Sequence, residues 1–152
     1  MLFKLTHMPY PILILPLLSL LITQTIKSII KSNHQKFSFH NLMAYSGMPS
    51  GHSALVVSLT TIIGLAEGIS SPLFALSFVL STIVIRDALG IRRYLGQHGQ
   101  ILNILVNDLK NDHVLDQTYP HLLENIGHNP YQVIVGASIG FSISLIGYLI
   151  FF

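Results

Sequence analysis

At 152 residues the chain has room for one domain, 1–152, and 51% of it is hydrophobic against 9% charged. So few charges cannot cover a water-facing surface, and with a positive mean hydropathy the composition points to an integral membrane protein. A net charge of +2, with its basic residues close to apolar segments, argues against a nucleic-acid partner; the lack of cysteine excludes a disulfide framework and a Cys/His structural zinc site.

Taken in order, Lys4 precedes an apolar run, but two nearby prolines and no small-residue cleavage site argue against a cleaved signal. Pro11 to Ile30 is apolar enough to span a bilayer, with Pro16 as a kink and Thr23, Gln24 and Thr25 making its far end polar. Lys27 and Lys31 sit on that end, where a lysine commonly snorkels to the headgroups. Ser32 to Gly47, with His34, Lys36 and His40, reads as a loop whose Phe37 and Phe39 dip into the interface.

A second, short span runs from Ser53 to Ile69, and Ser70-Ser71-Pro72 turns the chain into a third, Pro72 to about Ala88. Arg86 and Asp87 lie near the end of that span, at a depth where ionisable groups are costly; they either pair with each other at the boundary or serve a function. From Gly90 to Leu109, Ile101, Leu102, Leu105, Val106 and Leu109 recur at helical spacing, as in an amphipathic helix lying on the membrane or capping the bundle. Asn107 to Pro120 reads as a solvated loop, His121 to Ile126 as a short helix ending at Gly127, and Gln132 to Phe152 as the last span. Gly136, Gly140, Ser144 and Gly147 give that span a face on which another helix can pack, within the chain or in a homo-oligomer. The expectation is an all-α membrane bundle of about four transmembrane helices plus an interfacial amphipathic helix. Lys27, Lys31 and Lys36 fall between spans one and two, and Arg86, Arg92, Arg93 and Lys110 between three and four, which predicts both long loops on the cytoplasmic side.

Met48-Pro49-Ser50-Gly51-His52 carries the clearest chemistry. A bare Gly51 lets an oxyanion approach the main chain, Ser50 and the first-turn N–H groups of the next helix can donate to it, and His52 is placed to move a proton. The plainer alternative is that Ser50 only caps the helix beginning near Ser53. Lys27, Asp87, Arg92, Arg93 and His98 fall at the same membrane face, a set suited to phosphoryl transfer from a lipid. The acidic residues make no convincing metal cage, so neither a metal nor another cofactor is expected.

These residues resemble the divergent branch of the type-2 phosphatidic acid phosphatase superfamily. The resemblance is carried by Gln24-Thr25-Ile26-Lys27, Met48-Pro49-Ser50-Gly51-His52-Ser53-Ala54, Ser71-Pro72-Leu73-Phe74-Ala75, Asp87-Ala88-Leu89-Gly90-Ile91-Arg92-Arg93 with Leu102-Asn103, and Gly127-His128-Asn129-Pro130 with Val133 and Gly136. In the main superfamily pattern the first block is a lysine, six residues and Arg-Pro; His34 and Gln35 stand there in this chain. The third block is Ser-Arg, five residues, a nucleophilic histidine, three residues and an orienting aspartate. Arg92 and His98 meet the first spacing, with Ile91 in place of the serine and Leu102 in place of the aspartate.

The resemblance implies a lipid phosphate phosphatase that needs no metal. Lys27, Ser50, Gly51 and Arg92 would bind phosphate, with Arg93 supplying the missing arginine charge; His52 would be the general acid and His98 the nucleophile. Asp87 is expected to orient a catalytic histidine or the arginine pair. His128 is read as a capping or interfacial residue. Substrates of the class would be phosphatidylglycerophosphate, phosphatidate or a polyprenyl diphosphate, and the alternative is a non-catalytic membrane protein that binds anionic headgroups.

Overall fold

The computed structural model describes residues 10–30, 47–111, 121–122, 124 and 127–152. Among the described residues there are five helices and no strand: α1 (Tyr10–Ile29), α2 (Gly51–Glu67), α3 (Pro72–Leu89), α4 (Ile91–Asn111) and α5 (Pro130–Phe151). α1, α5 and the Pro72–Leu109 run that begins with α3 are long and apolar enough to cross a membrane. α2 is shorter, its 17 residues rising about 26 Å, and is the centre of the bundle, with α5, α1 and α3 packed around it. The expected all-α membrane bundle with an added amphipathic helix is therefore what the chain forms.

Its interior combines a few apolar residues, Leu15, Val56, Ile62, Ile63 and Val133, with many small and hydroxylated side chains, while most of the large apolar ones face outward. Ser19, Thr23, Ser50, Ser53, Ser58, Ser77, Ser81 and Ser144 are buried, whereas Leu13, Leu21, Leu76, Phe78, Ile83, Ile134 and Leu149 are exposed. A bilayer selects this arrangement because lipid tails solvate leucine as well as another helix does, so association rests on close packing and interhelical hydrogen bonds. The Ser144 hydroxyl donates to Ser58 O at 2.8 Å and lies 2.6 Å from Ser58 Oγ, tying α5 to α2. The Ser81 hydroxyl donates to Val56 O at 2.9 Å and meets Thr60 Oγ1 at 2.6 Å, tying α3 to α2. Ser19 Oγ reaches Ala54 O at 3.2 Å from α1.

The glycine face of α5 packs within the chain. A Cβ on Gly136 would lie 2.2 Å from Ser50 O, one on Gly140 2.2 Å from Ala54 O, and one on Gly147 2.4 Å from a Leu15 methyl. Partners on both helices advance together, 50 with 136, 54 with 140 and 58 with 144, so α2 and α5 run parallel and begin at the same level. α1 runs opposite to them, since Leu15 meets Gly147 while Leu20 and Gln24 meet Gly51. α3 is also opposed to α2, with Phe74 against Gly64 and Ser81 beside Val56. The last turns of α1 and α3 and the first turns of α2 and α5 thus share one end of the bundle.

Three local expectations change. The helix expected near Ser53 begins at Gly51, because Ser50 caps it. The amphipathic helix runs to Asn111, through the start of the stretch read as a loop, because Leu102, Leu105 and Leu109 continue its apolar stripe. His121, Leu122 and Glu124 are not helical. The Asn103 side chain accepts from Leu122 N and donates to Leu122 O, both at 2.9 Å, and so occupies the backbone groups a helix would use. The segment before Tyr10 with Lys4, the residues from Lys31 to Ser46, and the rest of the Asn107–Pro120 stretch beyond Asn111 lie outside the described residues, as do Leu123, Asn125 and Ile126.

Gly136→Ala should lower the thermal stability of the detergent-solubilised protein by about 1–3 kcal/mol, because its methyl meets backbone that cannot rotate away. Ser138→Ala, on the exposed side of the same helix, should leave the melting temperature unchanged.

Candidate phosphate site at the shared helix mouths

The entry to α2 is fixed from both sides. Gly47 has φ 122°, a conformation that favours glycine, and the Met48–Pro49 peptide bond is cis. Ser50 is fully buried; its Oγ accepts from Ser53 N at 3.4 Å and from Ser53 Oγ at 2.9 Å, and its own N–H donates to Gln132 O at 3.0 Å. The hydroxyl therefore belongs to the helix cap. Gly51 is bare because α1 needs the space: a Cβ there would come within 3.0 Å of Leu20 and 3.1 Å of Gln24. With Ser50 and Gly51 held in this way, the exposed His52 stands in the first turn of α2.

The entry to α5 carries a second imidazole. His128 is 4% exposed and its N–H donates to Ala88 O at 3.2 Å, which fastens it to the end of α3. Gly127 lies on the first turn of α4 so closely that a Cβ would be 2.5 Å from Arg93 Cα. Gln132 Oε1 accepts from Asn129 N at 2.9 Å and lies 3.2 Å from His128 Nδ1. Since that oxygen only accepts, the proton of a neutral His128 sits on Nδ1, and Nε2 keeps its lone pair. Burial holds this imidazole below the ordinary histidine range; the Gln132 bond opposes the shift, and the charges of Lys27, His52 and Arg92 add to it.

Cations surround the two rings. Lys27, in the last turn of α1, is 6% exposed. Arg92 Nε donates to Asp87 Oδ2 at 2.6 Å, a bond across the Gly90 junction between α3 and α4 that fixes the guanidinium. Arg92, Lys27 and Asp87 all act electrostatically on His52, and Lys27, His52 and Arg92 act on His128. Five groups from five helices or their caps therefore share one field: Lys27, His52, Asp87, Arg92 and His128. Such a cluster of positive charge at two helix N-termini has the composition of an anion site.

Of the expected site residues, Lys27, His52, Asp87 and Arg92 come together, and Ser50 and Gly51 form the frame beneath them. Asp87 takes the arginine as its partner. Arg93 is exposed, with its backbone serving as the seat for Gly127. His98 lies about 9 Å further along α4 than Arg92 and about 120° around it, among the exposed Tyr94, Leu95, Ile101 and Leu102. His128, read from the sequence as a capping or interfacial residue, and Gln132 lie at the same entrance. The signal was present: a histidine, three residues, then the orienting position fits His128 and Gln132 as well as it fits His98 and Leu102. The Asn103 side chain holds Leu122 and, through a 2.8 Å bond, Glu124 in the segment that leads to His128.

Residues 9–143 match the divergent PAP2 family. An uncharacterized membrane protein of Bacillus subtilis (strain 168), YuiD, is 32% identical over 145 residues, covering 86% of this chain and 92% of the relative. No solved structure matches. A histidine at the mouth of each of two parallel membrane helices, the match over nearly the whole chain and the similarity to a bacterial membrane protein lead to one conclusion: the chain belongs to the divergent PAP2 family.

Proposed function

We propose that this protein is a lipid phosphate phosphatase acting at the membrane surface through a phosphohistidine. The observation that carries the reading is that His52 and His128 lie in one electrostatic cluster with Lys27 and Arg92. Lys27, Arg92 and the first-turn N–H groups of α2 bind the phosphate oxygens. Asp87 positions Arg92. Gln132 engages Nδ1 of His128, which leaves Nε2 with its lone pair as the nucleophile, the role that the sequence spacing also offered to His98.

In the first step His128 Nε2 forms a bond to phosphorus while the bond from phosphorus to the lipid oxygen breaks. Protonated His52 gives its proton to that oxygen, releasing the lipid alcohol. In the second step water attacks the phosphohistidine, His52 takes the water proton, and phosphate leaves with His128 restored. Cationic side chains supply the charge stabilisation, so a phosphomonoester or a pyrophosphate on a lipid suits the site equally. The exposed apolar side of α4, from Ile91 and Tyr94 through Leu105, supports its lying in the interfacial plane beside the site. The distribution of basic residues supports a cytoplasmic active face.

Purified protein should release phosphate from phosphatidate or phosphatidylglycerophosphate and be inhibited by vanadate. His52→Ala and His128→Ala should each reduce turnover by roughly a hundredfold or more, while His98→Ala retains it. An acid-labile phosphoryl group should map to His128 by mass spectrometry. Headgroup binding with no turnover in the wild type, or equal turnover in the His128→Ala variant, would overturn the reading.

The pH profile gives a separate check. A nucleophilic His128 must be neutral, and burial lowers its pKa, so the acid limb of kcat should fall below the usual histidine value of about 6.5. Gln132→Glu places a carboxylate beside Nδ1, favours the imidazolium and should move that limb to higher pH. A limb that stays in place in this variant would separate Gln132 from the chemistry.

A further inference from the structure

A groove of about 620 Å³ runs between α2 and α3, lined among others by Val57, Thr61, Phe78, Ile85 and Leu89 and reaching Arg86. This volume falls within the range of about 300–1,000 Å³ common to small-ligand sites. Along α3 it extends from Phe78 to Leu89, a rise of about 17 Å, close to the ~15 Å depth of one leaflet of a ~30 Å hydrocarbon core.

Its hydroxyl-bearing walls are apolar in effect. Thr60 Oγ1 and Ser81 Oγ turn to Val56 O, and Thr82 Oγ1 donates to Phe78 O at 2.9 Å. At the end shared with the site the lining changes to a cation, Arg86, next in sequence to the Asp87 that holds Arg92. One face of α3 thus lines the groove while its last turn supplies the carboxylate of the phosphate site.

We infer that this groove holds one hydrocarbon chain of the substrate lipid, with Arg86 at its rim paired to an anionic headgroup oxygen. The inference rests on the phosphatase reading for the identity of the headgroup and adds where the tail goes and which cation selects it. Charge favours a lipid over a second copy of the chain packed span against span. α1 and α5 carry no acidic residue, Glu67 ends α2 at the far side of the bundle, and Asp87 is bonded to Arg92, so these spans offer Arg86 no uncommitted carboxylate. An anionic headgroup does. A chain in the groove also sets a requirement on the substrate: a phosphate ester must carry a long acyl or isoprenoid tail to be held with its phosphate at the histidines.

The test uses the full-length protein in nanodiscs and a phosphatidate with a diazirine at the end of one acyl chain. After illumination, adducts should concentrate on residues 57–61 and 78–89. Val57→Phe and Thr82→Phe, which fill the groove from opposite walls, should each reduce them roughly tenfold, the loss of about two buried methylenes. Arg86→Gln should reduce labelling by the phosphatidate and leave that by a diacylglycerol with the same tail unchanged. Adducts spread evenly over the outer faces of α1, α3 and α5, labelling that neither filling variant changes, or α2–α3 residues cross-linked to a second copy would overturn the inference. Labelling requires no turnover. Groove adducts without hydrolysis would therefore refute the phosphatase reading alone, and hydrolysis with scattered adducts would refute the groove alone.

Discussion

The architecture depends on the close, parallel approach of α2 and α5. Ser50 O and Ala54 O lie where the side chains of residues 136 and 140 would otherwise be, so only glycine at those positions lets the two backbones meet. The contact fixes more than packing, because Ser50 N–H then reaches Gln132 O and joins the two helix entrances directly. Each entrance carries a histidine. The glycines therefore bring two histidine-bearing entrances, far apart in the sequence, to one end of the bundle.

Two parallel helices starting at one level also place two positive dipole ends side by side, each equivalent to about half a charge. Lys27 and Arg92 enter the same field, and Asp87, the acid acting on His52 there, is bonded to Arg92. Such a concentration of positive charge at two helix N-termini is suited to an anion. The strength of packing beneath the site, with paired serines and threonines between α2 and its neighbours, is what allows the protein to hold this arrangement in place. The two helix entrances are thus linked through residues 50 and 132, where the cap of one helix bonds to the first turn of the other.

Much of the fold was legible in the sequence because membrane spans have a length and composition that survive without tertiary information. The glycine and serine positions of α5 announced a packing face, but not its partner; that required the matching carbonyls of α2. At the candidate site, motif and depth single out Lys27, His52, Asp87 and Arg92, which the fold brings to one end of the bundle. His128 does not stand out in the sequence, because a histidine before a helix looks the same whether or not the entrance beside it holds cations, and its bonds to Ala88 and Gln132 are tertiary or local details that spacing alone does not rank. His98 drew attention because it has the right separation from Arg92. On a helix, however, that separation turns the side chain about 120° away. The short helix expected after His121 failed for a similar reason, since one distant side chain, Asn103, takes the backbone groups that the local sequence assigned to it.

The convergence of the two histidine-bearing entrances on a single anion can be measured without any substrate. Vanadate, a tetrahedral and expandable analogue of phosphate, would be titrated into protein carrying ¹⁵N-labelled histidine while the ring nitrogens are followed by NMR. The resonances of His52 and His128 should move together with one equivalent of vanadate per chain, His98 should stay fixed, and replacing Arg92 should weaken both responses in parallel. If His52 and His128 titrate with different midpoints, or only one of them responds, they do not share an anion and the account fails.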